Sequence, residues 1–524
     1  MDMPDILAIC GIALGNLAHR LWLLPRDRMT FDSWGHLYFT FAVGRGGRGP
    51  FKPITPQVVA ARDFYYPLLP HWIYSHLPHE LLLRRNHLIN PLFETGFLVL
   101  ALLMAMAAGW TPGLVLIAGL AYVFTPLWFS KLAIGPRVLN FTTRTFSELI
   151  YPLALGIVLF PLPMPDIAAV LAGAVLLAMV LLGSKFGVQT VFMVTPVVAL
   201  FASSPILAVS LLLATGIALV VSGGNFARQL RQQGAHLGRY FSELRYGRMP
   251  VTARNSIAKL REWSSDKPRS RNVRRLVFNW FATNSFTGVL LRAPHIVLIV
   301  ILALYAASTG REVNPALSAM IAGAAAVYVL TSLRWFLFLG EAERYLSHVS
   351  IWSNLLFVAL CASLDIMALV WLAIVYGAAI SVAERALLRG GIDRAAATSE
   401  TAVIDYLGKQ SENRTILVYP YHAVPPYRIM IETQHVCVFP IIAGEAHKQA
   451  MKGVEDYPRI DLSRLTDSAE LAGVDTLVIE PEERAAHMPE WSPPPGWNRV
   501  PGDFGKLEVY ERLDRAAIAA QADP

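Results

Sequence analysis

The sequence is poor in charged residues and in cysteine, and both shortages restrict the class of protein. Only 16% of the 524 residues are charged, whereas 54% are hydrophobic and the mean hydropathy is +0.44. Because so few charges cannot cover a soluble core of this size, lipid must solvate much of the chain. The three cysteines, Cys10, Cys361 and Cys437, are too few and too scattered for a disulfide framework or a zinc site. The chain is therefore predicted to be a multi-span membrane protein.

Long apolar runs predict an α-helical polytopic fold with about eleven transmembrane helices. The runs lie at roughly 6–24, 89–109, 113–129, 146–162, 167–183, 188–202, 205–222, 287–307, 315–338, 350–363 and 366–383. The stretches 188–222 and 350–383 are each divided, because either would be about 50 Å long as one unbroken helix. The first run follows an acidic N-terminus and precedes no small-residue cleavage site, so it is predicted to remain as an anchor.

From about residue 384 the pattern changes to that of a small soluble domain. Short apolar runs beginning at Thr415, Val436 and Thr476 are typical of buried strands. Helical patterns lie near 399–409 and 464–473. The C-terminal part of the chain is therefore predicted to be an α/β domain.

These features predict two domains. The first is a transmembrane catalytic domain at 1–383, with a large first loop at 25–88 and a basic loop at 223–286. The second is the soluble α/β domain at 384–524. With eleven spans, both loops and the C-terminal domain share one face of the membrane. The connections on the other face are short and carry almost no charge, which favours an enzyme or receptor at one interface over a transporter.

The basic loop has a larger net positive charge than the whole chain. Residues 223–280 contain thirteen Lys and Arg against three acidic residues, a net charge of +10, while the whole chain carries +7. Beside a membrane, such a segment is held to anionic head groups by about 1 kcal/mol per basic residue. The alternative is an ordinary cytoplasmic loop that obeys the positive-inside rule.

The first loop contains the most prominent candidate for chemistry. The candidate lies in the segment Asp32, Ser33, Trp34, Gly35 and His36 near the start of this loop. If this segment is helical, Asp32 and His36 lie one turn apart on the same face. A carboxylate just past a membrane helix can act as a general base for an acceptor hydroxyl or amine. The alternative is an aspartate that caps an interfacial helix.

Four short elements together resemble the glycosyltransferase C superfamily of membrane enzymes, which use polyprenyl-phosphate-linked sugars. The first loop contains Asp32-x-x-x-His-x-Tyr-Phe and, further on, Tyr65-Tyr-Pro-Leu-Leu-Pro-His-Trp. A Gly183-Ser-Lys-Phe-Gly-Val-Gln element lies at the polar end of a span, and Glu343-Arg-Tyr-Leu precedes the last spans. The order of these elements and their location on one face are similar to those of O-mannosyltransferases, aminoarabinose transferases and oligosaccharyltransferases.

The resemblance implies a direct displacement with inversion at the anomeric carbon of the sugar. Asp32 would take a proton from the acceptor, which is a lipid, a glycan or a protein. Cations would stabilise the polyprenyl phosphate or diphosphate that leaves. The candidates for this role are Lys185, Arg344, Arg137, Arg144, His236 and Arg239. The candidates for contacts with the sugar or the acceptor are His36, Asp63, Tyr65, Tyr66 and Glu148.

Several of these residues have simpler alternatives. Lys185 would place its ammonium group at the membrane surface without binding a ligand, and Arg137 or Arg144 would pair with Glu148. Asp63 would form a salt bridge with Arg62. No metal-ligand spacing such as His-Glu-x-x-His occurs, so no cofactor is predicted. Asp32 is followed by Ser33 rather than by a second acid, which favours a metal-independent transferase over protein O-mannosylation.

The resemblance places the active site and the C-terminal domain on the outer, periplasmic face of a cell (inner) membrane, in an enzyme of the cell-envelope glycans. The positive charge of both loops favours the opposite orientation, although long loops follow the charge rule poorly. The alternatives to a transferase are a non-enzymatic protein that binds lipids or assists assembly, and a transporter.

Overall fold

The computed structural model contains two compact units. The described residues are 2–23, 29, 31–45, 49–59, 63–125, 141–245, 285–339, 342–390, 394–438, 451, 454–456, 459–469 and 471–513. The first unit comprises Met1–Arg28, Pro67–Ile73 and Leu77–Gly390. The second unit comprises Met29–Tyr66, Tyr74–His76 and Gly391–Pro524. Most of the predicted first loop thus groups with the C-terminal residues.

The first unit is helical. Its described helices are Met3–Leu23, His79–Arg85, Ile89–Ala107, Pro112–Val123, Thr143–Leu159, Asp166–Leu181, Lys185–Phe201, Pro205–Val221, Asn225–Arg245, Ser285–Arg292, His295–Ser308, Pro315–Ser332, Glu343–Ser347, Ser350–Ser363 and Ala368–Gly390. Helix Leu69–Tyr74 extends into the second unit, and 3-10 helices occur at Asn86–Leu88 and Arg334–Leu339. Prolines at helix starts and side-chain caps such as Ser204 and Asn314 set the beginnings of several helices.

The apolar helices confirm a multi-pass membrane protein. Among the described residues, four helices are long and apolar enough to cross a membrane: Met3–Leu23, His79–Ala107, Pro315–Ser332 and Ala368–Ala386. Two bent pairs raise this number to as many as six. Shorter apolar helices occur at Pro112–Val123, Asp166–Leu181, Lys185–Phe201 and Ser350–Ser363. The predicted total of about eleven spans stays a prediction.

Two buried ion pairs connect the helices of the first unit. Arg20 donates to both carboxylate oxygens of Glu94, at 2.9 and 2.8 Å, and both side chains are fully buried. The same guanidinium also donates to the carbonyl oxygen of Val123 at the end of another helix. Arg292 and Glu384 form the second pair, also buried. Lipid cannot solvate these charges, so each buried charge needs a partner of opposite sign. In both pairs that partner lies on another helix, and hydropathy alone does not predict this contact.

The second unit contains a five-stranded mixed sheet, which confirms that a small sheet follows the apolar helices. Its strands are β1 (Thr415–Tyr419), β2 (Val436–Val438), β5 (Thr476–Ile479), β6 (Trp497–Arg499) and β7 (Glu508–Arg512), in the order β2-β1-β5-β7-β6. Strands β1, β2 and β5 are parallel, and β7 is antiparallel to β5 and β6. A separate hairpin pairs β3 (Glu455–Asp456) with β4 (Arg459–Ile460).

Among the described C-terminal residues, the helices that accompany the sheet are Arg394–Gly408, Pro426–Glu432 and Pro481–His487. Helix Arg394–Gly408 covers most of the helix predicted near 399–409. The prediction of a helix near 464–473 is wrong. The described residues there form a 3-10 helix at Leu462–Arg464 followed by turns. The apolar side chains of Leu465 and Leu471 are buried there without helical periodicity, since they pack into the sheet core.

Residues of the first loop pair with the edge of this sheet. Val58 forms a parallel bridge with Cys437 of the edge strand β2. The amide of Val59 donates to the carbonyl of Cys437 at 3.1 Å, and the amide of Cys437 donates to the carbonyl of Gln57 at 3.3 Å. An edge strand exposes unpaired amides and carbonyls, and here the first loop satisfies some of them.

Candidate functional site

The Gly183-Ser-Lys-Phe-Gly element forms the start of a helix in the first unit. Ser184 is the N-cap of the helix Lys185–Phe201, and its hydroxyl accepts a hydrogen bond from the amide of Gly187 at 2.9 Å. The same hydroxyl lies 2.7 Å from that of Ser147 on helix Thr143–Leu159. The first turn therefore has a capped N-terminus, and its partial positive charge lies beside the Lys185 side chain.

Close packing explains the two glycines of this element. A Cβ on Gly187 would lie 2.7 Å from both the Ser147 hydroxyl and the Val180 carbonyl oxygen. A Cβ on Gly183 would lie 2.8 Å from the Met179 carbonyl oxygen. Both distances are too short for a real side chain, so glycine is required where this turn meets its neighbours.

Two predicted phosphate ligands meet at Phe186. The guanidinium carbon of Arg344 lies 3.5 Å from the centroid of the Phe186 ring, and that of Arg144 lies 4.6 Å from it. Arg344 is only 3% exposed, whereas Lys185, Phe186 and Arg144 are half-buried. Two guanidinium groups on one ring, with Lys185 beside it, make a site suited to an anion. We call Arg144, Lys185, Phe186 and Arg344 the cation cluster.

Part of the basic loop is also placed at this turn. The helix Asn225–Arg245 follows helix Pro205–Val221, and the two axes differ by 108° over the part ending at Gly238. The side-chain amide of Gln233 donates to the Lys185 carbonyl oxygen at 2.8 Å. His236 is half-buried and lies three residues after Gln233, on the same side of the helix.

The remaining predicted cations lie partly or wholly outside the described residues. Arg239 belongs to the helix Asn225–Arg245, but its side chain is outside the described part of the structure. Arg137 and the basic residues of 246–284 are also outside it.

Glu148, a predicted sugar or acceptor contact, is buried on helix Thr143–Leu159, one turn after Arg144.

Asp32 and His36 lie on one face of a helix in the second unit, as the spacing predicts. The helix Phe31–Arg45 places Asp32 in its first turn, so Asp32 is not its N-cap. An Asp32 carboxylate oxygen lies 3.9 Å from Nε2 of His36. The Asp32 side chain is 37% exposed and that of His36 is 6% exposed. The carboxylate is thus accessible to solvent.

Aromatic rings surround this face of the helix. Tyr427, on helix Pro426–Glu432, has its ring centroid 5.4 Å from that of Phe31, 5.8 Å from that of Tyr38 and 6.0 Å from that of Phe39. A Cβ on Gly35 would lie 3.0 Å from the Tyr427 ring, so the small residue permits this packing. Burial raises the pKa of Tyr427 well above its usual value, and the nearby Asp32 charge raises it further.

Three further predicted sugar contacts, Asp63, Tyr65 and Tyr66, lie in the second unit. The Tyr66 ring packs at 5.2 Å from Phe39 and at 6.4 Å from His36, between centroids. Tyr65 is half-buried. Asp63 is exposed and accepts a hydrogen bond from the Thr55 hydroxyl at 2.9 Å. Tyr66 therefore lies in the aromatic surroundings of His36, whereas Asp63 also binds within its own loop.

Three residues near these sites were not predicted from the sequence motifs: Phe186, Tyr427 and Arg428. Phe186 lies inside the quoted Lys185 element, yet nothing in its spacing shows that two arginines share its ring. Tyr427 ends an aromatic-rich segment, Tyr419–Tyr427, which was the available signal. Arg428 donates to Glu432 at 3.0 Å and to Glu400 at 2.8 Å, and its guanidinium carbon lies 5.4 Å from the Trp34 ring centroid.

Metal ligands are not grouped in the described part of the chain. Among those residues, no set of three or more His, Cys, Asp or Glu side chains is arranged to hold a metal ion. The chemistry that the described groups support is proton transfer at Asp32 and anion binding at the cation cluster.

The described residues form helices with apolar spans followed by a small mixed sheet, and solved structures share this fold. The chain is similar to ArnT from Cupriavidus metallidurans in the apo state, with a TM-score of 0.52 and 14% identity over 99% of each chain. It is also similar to the Archaeoglobus fulgidus oligosaccharyltransferase in complex with Zn and sulfate, with a TM-score of 0.55 and 11% identity. That alignment covers 91% of this chain and 68% of the other.

The apo form of the same oligosaccharyltransferase matches with a TM-score of 0.51 and 10% identity, over 90% of this chain and 69% of that one. No family model matches the chain, and no curated protein matches its sequence. The predicted resemblance to glycosyltransferase C enzymes is thus confirmed for the fold.

Proposed function

We propose that this protein is a membrane glycosyltransferase that moves a sugar from a polyprenyl-phosphate-linked donor to a lipid, glycan or protein acceptor. The observation that carries the proposal is the cation cluster. Two of the predicted phosphate ligands, Arg144 and Arg344, contact the Phe186 ring, and a third, Lys185, is the first residue of a capped helix. A leaving phosphate gains negative charge as the glycosidic bond breaks, and fixed cations stabilise that charge most strongly in the transition state.

In the proposed reaction, an acceptor oxygen or nitrogen attacks the anomeric carbon while the carbon–oxygen bond to the phosphate breaks. The proton of the attacking group passes to the Asp32 carboxylate, and the electron pair of the broken bond stays on the phosphate. This single displacement inverts the anomeric configuration. Arg144, Lys185 and Arg344 hold the departing phosphate, with His236, Arg239 and Arg137 as further candidate ligands. No step requires a metal ion or another cofactor.

The residues around Asp32 are proposed to bind the sugar or the acceptor. Rings such as Tyr66 present faces on which a sugar can pack, and His36 lies 3.9 Å from the Asp32 carboxylate. Tyr65, Asp63 and Glu148 remain candidates for the same contacts. We also propose that the C-terminal domain is a non-catalytic cap that grips the acceptor. The sites face the outer side of the cell membrane, and the basic loop contacts anionic lipids.

The test uses purified protein and labelled polyprenyl-phosphate sugars, with transfer and donor binding measured separately. Asp32→Asn is expected to lower transfer by about 10²- to 10⁴-fold, the usual contribution of a general base, and to leave donor binding unchanged. Glu80→Gln is the matched control, because Glu80 is an exposed acid that pairs one turn away with Arg84. The base assignment is wrong if Asp32→Asn transfers as fast as the unaltered protein. Loss of donor binding in that variant would also contradict it.

A non-enzymatic, lipid-binding protein is the second candidate, because the exposed side chains of Arg228 and Arg231 lie on the helix Asn225–Arg245. It would be favoured if no donor turned over and if Arg228→Gln with Arg231→Gln abolished binding to anionic vesicles.

A further inference from the structure

The second unit contains a small cavity whose lining residues are not among the predicted site residues. Its volume is about 170 Å³, and it is lined by Tyr38, Phe41, Ala42, Arg45, Ile54, Thr55, Gln57 and Ile431. This volume is below the roughly 300–1,000 Å³ of sites for drug-sized ligands. It is several times the roughly 30 Å³ that a water molecule occupies in the liquid. The cavity therefore suits one small ring rather than an extended chain.

The shape of the cavity follows from helix periodicity. Tyr38, Phe41, Ala42 and Arg45 are spaced at i, i+3, i+4 and i+7, so they form one stripe of the helix Phe31–Arg45. Nearer the start of the helix, the same side packs against Tyr427 at Gly35 and Tyr38. Ile431, one turn after Tyr427, and the segment 54–57 complete the walls. The cavity thus lies at the far end of a packed interface within this unit.

The cavity combines apolar walls with groups that recognise a polar ligand. The Tyr38 hydroxyl accepts a hydrogen bond from the Gln57 amide at 2.8 Å and keeps its own proton to donate. Burial is the main reason that the pKa of Tyr38 rises to about 12, so this proton stays bound at neutral pH. The Thr55 hydroxyl donates to Asp63, which leaves its oxygen able to accept. Arg45 is exposed and contributes a positive charge.

We propose that this cavity binds a single sugar ring that carries one anionic group, as a subsite for the acceptor. The inference rests on the proposed function, because it treats the ring as the acceptor's own. A ring can pack on Tyr38 and Phe41, hydroxyl groups on it match Tyr38 and Thr55, and its anionic group pairs with Arg45. Tyr38 follows Asp32 by six residues, which is about 9 Å along the helix axis. The subsite and the candidate base therefore belong to one helix.

The test is protection of an engineered thiol in the full-length protein. Ala42→Cys, in a Cys10→Ser background, places a thiol in the cavity wall, whereas the native Cys361 and Cys437 are buried. The rate of labelling is measured with glucuronate, glucose 1-phosphate, methyl glucoside or inorganic phosphate present. Ser411→Cys in the same background is the control, because Ser411 is exposed and does not line the cavity.

Glucuronate or glucose 1-phosphate is expected to slow labelling of Ala42→Cys at least about 5-fold, and the better of the two identifies the anionic group as a carboxylate or a phosphate. Adding Arg45→Gln should remove this protection, and labelling of Ser411→Cys should not change. Equal protection by methyl glucoside, equal protection by inorganic phosphate, or no protection would each overturn the proposal. Protection by a ligand does not require sugar transfer. It would therefore persist even if Asp32→Asn transferred sugar as fast as the unaltered protein. The two proposals can thus fail separately.

Discussion

The guanidinium carbon of Arg344 lies 3.5 Å from the centroid of the Phe186 ring, and Arg144 approaches the same ring at 4.6 Å. The ring attracts both cations through its electron-rich face, which offsets part of the repulsion between them. Phe186 directly follows Lys185, the first residue of its helix. One aromatic ring thus contacts two guanidinium groups that lie far apart in the sequence.

The first prediction concerns this ring. Phe186→Leu keeps an apolar side chain but removes the aromatic face, so Arg144 and Arg344 should be held less well. A cation–π contact contributes about 0.5–2 kcal/mol, and we expect KM for the lipid-linked donor to rise about 2- to 30-fold. Steady-state kinetics with varied donor would measure it. Phe201→Leu, at the exposed end of the same helix, is the control and should leave KM unchanged.

The second prediction concerns the packing of the Lys185 turn. Gly187→Ala would place a Cβ 2.7 Å from Ser147 and Val180 atoms, and overpacking of this kind costs about 1–3 kcal/mol. The variant should unfold at a lower temperature in detergent and bind the donor more weakly. Gly216→Ala is the control, because nothing lies within 4 Å of its Cβ position and alanine favours a helix. A Gly187→Ala protein as stable as the unaltered one would contradict the packing described here.

The third prediction separates the acceptor side from the donor side. Tyr427→Ala removes the ring that packs on Gly35 and Phe31 beside Asp32, so acceptor turnover should fall at least about 10-fold. KM for the donor should stay within about 2-fold, because the cation cluster belongs to the other unit. Tyr427→Phe retains the ring and serves as the control, with most of the activity preserved. An increase in donor KM without loss of acceptor turnover would show that Tyr427 does not serve the acceptor.

The fourth prediction concerns the buried pair of Arg20 and Glu94. Glu94→Gln leaves a buried guanidinium without its charged partner and should lower the free energy of unfolding by about 3–5 kcal/mol. Arg20→Met combined with Glu94→Met removes both charges and should recover most of that loss. Thermal unfolding in detergent measures the effect, with the exposed pair of Glu80 and Arg84 as the control. A double variant no more stable than Glu94→Gln would contradict the argument.

The fifth prediction concerns sidedness. Lys52→Cys, Ser242→Cys and Ser411→Cys, each in a Cys10→Ser background, replace exposed residues of the first loop, the basic loop and the C-terminal domain. All three should react with an impermeant thiol reagent from the outside of intact cells or spheroplasts. Glu312 is exposed on a short connection that is predicted to lie on the opposite face, so Glu312→Cys should react only after the membrane is opened. Labelling of Ser242→Cys from the opposite side to Lys52→Cys would remove the basic loop from the proposed site.

Local patterns predicted the elements of this protein well. The strands β1, β2 and β5 lie where short apolar runs predict them, because a buried strand needs a continuous apolar stretch. The i, i+4 relation of Asp32 and His36 follows directly from helix geometry once the segment is helical. The helix predicted near 464–473 failed, because its apolar residues fill the sheet core from turns, and periodicity cannot distinguish the two arrangements.

The sequence by itself determined that lipid surrounds much of the chain, that a small α/β domain follows the spans, and which basic residues and which acid are candidates. These properties depend on composition and short-range spacing. Only the tertiary structure decided that Arg144 and Arg344 share the Phe186 ring, that Tyr427 packs on Gly35, and that the first loop pairs with strand β2. Those contacts join residues far apart along the chain, and helix or strand periodicity carries no information about which faces meet.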